Sequence, residues 1–221
     1  MEGASKMSVM NIVQAINNAL DIELAKDKNV VVYGEDAGFE GGVFRVTEGL
    51  QKKHGVERVF DTPLAESGIV GTAVGMGVTG LRPVVELQFD GFTYPAFNQI
   101  VSHISRMHNR TRGKYKMPVV IRFPYGGGIN ALEHHSESPE AFYAHIPGLK
   151  VVVPSTPHDA KGLMIAAIES DDPVIFMEPK RIYRAIKQEV ADEEFSIPIG
   201  KAKVLTEGTD VTVVAFGAMV R

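Results

Sequence analysis

The stretch RVFDTPLAESGIVGTAVGMGVTGLRPVVELQF, residues 58–89, decides the fold that the sequence predicts. A short apolar run at 58–60 indicates a strand, helical spacing indicates a helix over 64–79, and a β-branched run at 83–89 indicates the next strand. A helix of this length between two strands is the crossover that joins parallel neighbours in a sheet. The stretch therefore predicts a βαβ unit.

The same alternation continues on both sides of this unit, which predicts an α/β fold with a mostly parallel sheet and helices on both faces. In such sheets, ligands bind beyond the carboxyl ends of the strands. Three helix starts carry capping signals: Asn11 with Gln14, Ser138-Pro139 and Thr156-Pro157. The further predicted strands are 30–36, 118–123, 150–153 and 173–177, and the helices begin at 12 and cover 44–53, 94–110, 139–145 and 157–170.

The pattern divides the chain into three parts. Residues 7–180 carry the alternation, whereas residues 181–203 are charged and aperiodic and are predicted to be a linker. The run VTVVAFG, residues 211–217, then indicates a new buried strand. Residues 204–221 are therefore expected to be the start of a second, incomplete domain. Residues 1–6 are left out of the fold prediction.

Composition excludes several classes of protein. The 221 residues carry a formal net charge of −4, which argues against nucleic acid as the main partner. The basic segment 106–116 follows a predicted helix and is interpreted as its solvated, dipole-complementing end. There is no cysteine, so disulfides and cysteine metal sites are excluded. No apolar run reaches the roughly 18 residues of a membrane span, and we expect a cytoplasmic protein.

Two glycine-rich motifs have weak functional meaning. Gly75 to Gly80 matches the dinucleotide fingerprint, but it ends a helix instead of opening one. Its glycines extend a face of small residues that would let another backbone approach closely: Gly68, Gly71, Thr72, Gly75 and Thr79. The motif PYGGG at 124–128 could cradle a phosphate, although it has no P-loop lysine and is also typical of a mobile loop.

Three polar residues leave alternatives open. Glu66 is isolated among small and apolar residues, where it is either a first-turn glutamate favoured by the helix dipole or a buried carboxylate held for hydrogen bonding. The adjacent His134 and His135 lie in the same segment as the glycine-rich loop. Either one of them belongs to an active site, or both are surface side chains; no third ligand at zinc spacing accompanies them.

Several long segments resemble the beta subunit of the thiamine-diphosphate-dependent, decarboxylating component of 2-oxo acid dehydrogenase complexes. The resemblance runs from about Met10 to the last residue. It is carried by the segments DTPLAESGI (61–69), GED (34–36), GGVFRVTEGL (41–50), LRPVVELQF (81–89), HSESPEAFYAHIPGLKVVVPSTPHDAKGL (135–163) and PIGKA (198–202). It implies a pyrimidine-binding domain of the thiamine-diphosphate-binding fold, followed by a transketolase-type C-terminal domain that residues 204–221 would begin.

The resemblance implies roles for five residues. Glu66 matches the glutamate that hydrogen-bonds a ring nitrogen of the cofactor's aminopyrimidine, Phe92 the aromatic residue that packs on that ring, and Gln88 another contact to it. His135 matches the histidine implicated in reductive acylation of lipoamide. Its neighbour, His134, departs from the family's usual Tyr or Leu at that position. Glu35 resembles a member of an acidic, water-filled path between paired active centres.

The resemblance also implies partners. The family's magnesium-diphosphate motif, Gly-Asp-Gly with a downstream Asn-Asn, does not occur in this chain. It belongs to the alpha subunit, so no metal ligand is expected here, and this chain would supply half of an active site. A second beta chain and the lipoyl acyltransferase core are the other expected partners. No nucleic acid and no membrane are expected.

The substrate and the activity leave alternatives. The segments YPAFNQI (94–100), SPEAFYAHIPG (138–148) and FMEPKRIYRA (176–185) are closer to branched-chain 2-oxo acid enzymes, and branched-chain 2-oxo acids are therefore the preferred substrate. Pyruvate is the alternative. Two other hypotheses are a non-catalytic module that binds the alpha chain and a transketolase-like enzyme, which the absence of a diphosphate motif disfavours.

Overall fold

A computed structural model describes residues 6–220 of the chain, so residues 1–5 and Arg221, the last residue of the predicted incomplete domain, lie outside the described part. Its main sheet has six parallel strands in the order β3-β2-β4-β5-β7-β6. This confirms the predicted α/β class. The strands are β2 Val30–Gly34, β3 Val59–Asp61, β4 Arg82–Glu86, β5 Val120–Tyr125, β6 Lys150–Val152 and β7 Val174–Pro179.

Helices cover both faces of this sheet, because successive strand side chains point to opposite sides. Val30 and Val32 face a core formed with helices Ile12–Lys26 and Pro157–Glu169, whereas Val31 and Tyr33 face a second core formed with helix Glu66–Val78 and the helical segment 99–110. Within residues 6–220, no helix is both long and apolar enough to cross a membrane. The α-helices are α1 Ile12–Lys26, α2 Leu50–His54, α3 Glu66–Val78, α4 Ser105–Arg110, α5 Glu140–Ala144 and α6 Pro157–Glu169.

Two of the three predicted helix caps are present. At α1 the Asn11 side chain accepts from the Gln14 amide at 2.9 Å, and the Gln14 side chain accepts from the Asn11 amide at 3.0 Å. At α6 the Thr156 hydroxyl accepts from the Asp159 amide at 3.1 Å. Each such cap is typically worth about 1 kcal/mol. The Ser138 cap was predicted wrongly, since α5 has Pro139 in the cap position and no side-chain bond.

The predicted linker contains a strand that sequence patterning missed. Strand β8, Gln188–Ala191, pairs antiparallel with β1, Met7–Met10, in a separate two-stranded sheet. Lys161 of α6 secures the end of β8, because its ammonium donates to the carbonyls of Ala191, Asp192 and Glu193. The segment after the main sheet is therefore fixed against α6 and is not a free connection.

The strand predicted at 211–217 is not formed. Val213 and Val214 are 82% and 85% exposed, and the residues around them have no regular structure. A strand needs a hydrogen-bonded neighbour, and no described residue pairs with this run. Gly217 is buried against Tyr125 and starts a short 3₁₀ turn, Gly217–Val220. The predicted division into domains stays a prediction.

The predicted face of small residues lies on the surface of α3. A Cβ added at Gly75 would meet nothing within 4 Å, and one at Gly71 would meet only the Gln99 side chain, at 3.6 Å. No backbone of the described chain approaches this face. The close packing expected from the glycine spacing is therefore absent among residues 6–220, and the face is free to contact another chain.

Candidate active site

All five residues singled out by the sequence lie beyond the carboxyl ends of neighbouring strands. Glu35 directly follows β2, and Glu66 begins the helix that follows β3. Gln88 and Phe92 follow β4, and His135 lies in the loop after β5. Since these four strands are adjacent and parallel, the residues share one edge of the sheet. This edge is where ligands bind in open α/β sheets.

Glu66 is the first residue of α3, where the helix dipole favours a negative charge. The helix cap, Ala65, contributes no side-chain hydrogen bond. Among the described residues, no group donates a hydrogen bond to the Glu66 carboxylate, and the side chain is half-buried. Glu66 therefore lies in the first turn of a helix, as one of the two interpretations predicted. The apolar residues next to it in the sequence do not bury its side chain completely.

Glu35 is a buried carboxylate at this edge. It is 6% exposed, and its Oε1 atom has no hydrogen-bond partner among the described residues. Burial, and to a lesser extent the nearby carboxylates of Glu66, Asp36 and Glu86, together raise the pKa of Glu35 to about 7. Glu35 therefore exchanges a proton near neutral pH and has one oxygen free for a partner.

Gln88 is held in place by a residue in an unusual conformation. Its Nε2 atom donates to Asp36 Oδ2 at 2.9 Å. Asp36 has a φ of 55°, in the left-handed region that asparagine and aspartate tolerate better than most residues. The Asp36 carbonyl also accepts from the Gly42 amide at 2.7 Å, which stabilises this turn. The Gln88 amide is thus oriented by the protein.

Three rings form an apolar wall beside these polar groups. The Phe89 and Phe92 ring centroids are 5.6 Å apart in an edge-to-face contact. The His135 ring lies 4.3 Å from Phe89 and 5.1 Å from Phe92. Edge-to-face and tilted contacts at these distances are favourable for aromatic rings. The edge therefore combines an apolar surface with carboxylates, as a flat heteroaromatic ligand requires.

The two adjacent histidines have different surroundings. His135 is half-buried, and its Nδ1 atom lies 3.0 Å from the carbonyl oxygen of Glu133. Because a carbonyl only accepts, Nδ1 carries the hydrogen and Nε2 is left for another partner. His134 is exposed and has a φ of 68°. Its ring makes an edge-to-face contact with Tyr94, with 6.2 Å between the ring centroids. The rings point apart, and only His135 joins the aromatic wall.

Two buried ionic groups near this edge were missed by the sequence analysis. In the first, Arg122 donates to both oxygens of Glu178 at 2.6 and 2.9 Å and pairs with Glu86, while Tyr183 donates its hydroxyl to Glu178. The signal was present, since each charged residue interrupts an apolar strand. Charged residues are almost never fully buried unless paired. Charged residues in three adjacent core strands are therefore expected to pair with one another.

The second buried group is the ion pair of Asp90 and Lys180, with 3.0 Å between Oδ2 and Nζ. Asp90 follows β4, and Lys180 directly follows β7, on either side of β5 in the sheet. Their side chains are fully buried. No local sequence pattern predicts this ion pair, because its two residues are 90 positions apart in the chain.

A group of three carboxylates lies at the opposite edge of the sheet, near the C-terminal ends of α1 and α6. Glu23, Glu169 and Glu194 have ligand oxygens within 4.8 Å of one another. Lys26 lies among them, with Nζ 2.6 Å from both Glu169 and Glu194. The lysine ammonium already supplies the cation for this group, which is remote from the candidate site.

Proteins of known name are similar to this chain over nearly its whole length. The chain is 62% identical over 215 residues to "Pyruvate dehydrogenase E1 component subunit beta" of Acholeplasma laidlawii, covering 97% of this chain and 66% of the relative. Proteins of the same name from Mycoplasma genitalium and Bacillus subtilis are 57% and 53% identical, covering 96% and 97% of this chain and 65% and 66% of the relatives. These names support the pyruvate alternative, not the branched-chain preference.

The chain thus spans 65–66% of the length of these relatives. A solved structure described as "Split gene transketolase, inactive beta4 tetramer" superposes with a TM-score of 0.74 at 24% identity, covering 95% of this chain and 64% of that one. At this identity the likeness concerns the fold alone. Residues 8–186 match the family described as "Transketolase, pyrimidine binding domain", which includes every strand of the parallel sheet and the whole candidate site. The chain belongs to the transketolase pyrimidine-binding domain family.

Proposed function

We propose that this chain is the beta subunit of a thiamine-diphosphate-dependent 2-oxo acid dehydrogenase that acts on pyruvate. The observation that carries the proposal is the convergence of Glu66, Gln88, Phe92 and His135 at the carboxyl ends of adjacent strands. The high identity to proteins named pyruvate dehydrogenase E1 component subunit beta supports the reaction and the substrate.

The residues at this edge fit the pyrimidine half of the cofactor. An aminopyrimidine is flat and apolar on its faces and carries nitrogen donors and acceptors on its rim. Phe89 and Phe92 offer an apolar wall, Gln88 offers an oriented amide, and the carboxylates of Glu35 and Glu66 each have an oxygen without a partner among the described residues. Thiamine diphosphate, when bound, supplies a nucleophilic carbon for the 2-oxo group and accepts the electrons released on decarboxylation.

Glu66 is proposed to hold a proton at a ring nitrogen of the aminopyrimidine. The N-terminus of α3 fixes its backbone, and no described residue occupies the carboxylate, so both oxygens are free for a hydrogen bond to the ring. A partner chain lying over the exposed side of Glu66 would exclude water and strengthen this bond. Glu35, with its pKa raised to about 7 by burial, is suited to relay a proton to or from Glu66.

His135 is proposed to transfer a proton when the lipoyl group accepts the acyl unit. Its Nδ1–H donates to the carbonyl oxygen of Glu133, which leaves Nε2 free for another partner. A neutral imidazole with a free Nε2 can accept a proton, and its conjugate acid can donate one to a lipoyl sulfur. Its loop placement beyond a strand end suits contact with an incoming domain.

The chain is proposed to need an alpha subunit for turnover. It has no Gly-Asp-Gly motif with a downstream Asn-Asn, so the alpha chain would bind magnesium and the diphosphate. The free face of α3, with Gly71 and Gly75 on the surface, is suited to contact another chain closely. A second beta chain and the lipoyl acyltransferase core are the other proposed partners.

The substrate assignment is tested by kcat/KM of the enzyme assembled from full-length beta chain and alpha chain. The kcat/KM for pyruvate is expected to exceed that for 3-methyl-2-oxobutanoate by roughly 10-fold or more. The reason is that a difference of one or two carbon groups in an apolar pocket typically gives about 10–200-fold discrimination. The assay follows acylation of an isolated lipoyl domain by each acid. An equal or greater value for the branched acid would restore the branched-chain preference.

A further inference from the structure

The loop that carries His135 rests on the buried ion pair of Asp90 and Lys180. Lys180 Nζ donates to the carbonyl oxygen of His135 itself, at 2.6 Å, and to Asp90 Oδ2 at 3.0 Å. Asp90 Oδ2 also accepts from the Gly126 amide at 3.0 Å. One ion pair therefore holds the loop at its start, Gly126, and again at the histidine.

Other contacts restrict the same backbone. The Gly91 amide, next to Asp90, donates to the carbonyl of His134 at 3.1 Å. A Cβ at Gly91 would collide with the backbone of His134, so the two backbone segments approach as closely as glycine permits. The Gly126 amide also donates to the carbonyl of Glu137, at 2.8 Å, which closes the loop on itself.

The ion pair also lies against the ring that supports the histidine. Lys180 Nζ is 5.5 Å from the centre of the Phe89 ring, in a cation–π contact, and the His135 ring is 4.3 Å from the same ring. The lysine thus contacts both the main chain of His135 and the aromatic surface on which its imidazole lies.

Such a pair is costly to bury. Burial raises the pKa of Asp90 and lowers that of Lys180, and the hydrogen bonds of the pair oppose both shifts. Apolar residues of similar volume often replace a buried ion pair without loss of stability. Stability alone therefore does not explain the pair, whereas a bond to the backbone of His135 does.

We infer that Asp90 and Lys180 are positioning residues, which fix the main chain of His135 so that its imidazole stays on Phe89 with Nε2 facing the active site. The inference rests on the proposed role of His135 in acyl transfer. It predicts that losing the lysine loosens the loop and slows acyl transfer selectively, with the sheet intact.

The first measurement is hydrogen–deuterium exchange of peptides from 126–138 in the full-length protein without substrate. Lys180→Met is expected to raise exchange in this loop by about 10-fold or more, because it removes two charge-assisted hydrogen bonds. Exchange in β2 and β4 should not change. Lys187→Met, at an exposed position of the same segment, is the matched control and should leave the loop unchanged.

The second measurement separates positioning from folding. Lys180→Met leaves the Asp90 carboxylate buried and unpaired, so the double variant Asp90→Asn/Lys180→Met removes both charges while an amide oxygen can still accept from Gly126. In the assembled enzyme, the double variant should lower acyl transfer to a lipoyl domain by about 10-fold or more. Decarboxylation with an artificial electron acceptor should change less than about 3-fold.

The outcomes are distinct. Unchanged loop exchange in both variants would overturn the inference, whatever the activity. A loosened loop with full acyl transfer would overturn the positioning role and leave a structural pair. An equal loss of acyl transfer and of decarboxylation would also overturn the positioning role. If the wild-type complex does not decarboxylate 2-oxo acids, the proposed function fails, and the exchange experiment still decides whether the pair holds the His135 backbone.

Discussion

Glu66→Gln is expected to lower decarboxylation of pyruvate by the assembled enzyme by roughly 10²–10⁴, the usual contribution of a positioned acid–base group. Glutamine keeps the length and shape of the side chain at the start of α3, so packing should be retained. It can form a hydrogen bond to a ring nitrogen but cannot exchange a proton with it. The measurement is kcat with an artificial electron acceptor, which reports the step before acyl transfer.

The matched control is Glu57→Gln, an exposed glutamate shortly before β3 in the same domain. It should leave kcat unchanged. Thermal unfolding of both variants should stay close to wild type, since neither carboxylate accepts a hydrogen bond from a described residue. A Glu66→Gln complex that keeps more than about a tenth of wild-type decarboxylation would remove Glu66 from the proposed proton transfer.

His135→Ala is expected to lower acyl transfer to a lipoyl domain by roughly 10² or more, while much of the decarboxylation with an artificial acceptor remains. The imidazole lies against Phe89 and Phe92, is half-buried and has Nε2 available, so it can meet an incoming group. The measurement compares the two reactions of one preparation that contains full-length beta chain.

His134→Ala is the control, because this exposed ring contacts Tyr94 and not the wall. It should affect both reactions much less. A larger loss of acyl transfer in His134→Ala would mean that the histidines have exchanged roles. Full acyl transfer in both variants would return the pair to the alternative interpretation, two surface histidines without catalytic work.

The parallel sheet could be predicted because most of its strands are rich in apolar, β-branched residues, a local signal that needs no distant information. Val30–Gly34 and Val174–Pro179 are buried along their whole length, as expected for strands covered on both faces. The helix starts at Asn11 and Thr156 were predictable for the same reason, since a cap depends on residues within one turn.

Long-range pairing could not be predicted from local patterns. Strand β8 is short and charged, and it forms only because β1, at the other end of the chain, pairs with it. The run 211–217 shows the converse, since it has strand composition but no described partner and stays exposed. Composition measures the tendency of a segment, and pairing decides the outcome.

The candidate site divides in the same way. Resemblance of the surrounding segments indicated Glu66, Gln88, Phe92 and His135, and the order of the strands explains why residues so distant in sequence lie at the same end of the sheet. The Asp90–Lys180 pair was missed because nothing local relates its members. Arg122 and its two carboxylates were detectable in principle, since each lies within an apolar strand.

The central claim is that this chain contributes half of an active site, and titration calorimetry of thiamine diphosphate with magnesium tests it most directly. We expect weak or undetectable binding to the beta chain alone, and binding at least about 10²-fold tighter once the alpha chain is present. The reason is that the charge-assisted bonds to the diphosphate, each worth about 1.5–3 kcal/mol, would come from the partner. Equally tight binding by the beta chain alone would contradict the account and indicate a complete site within one chain.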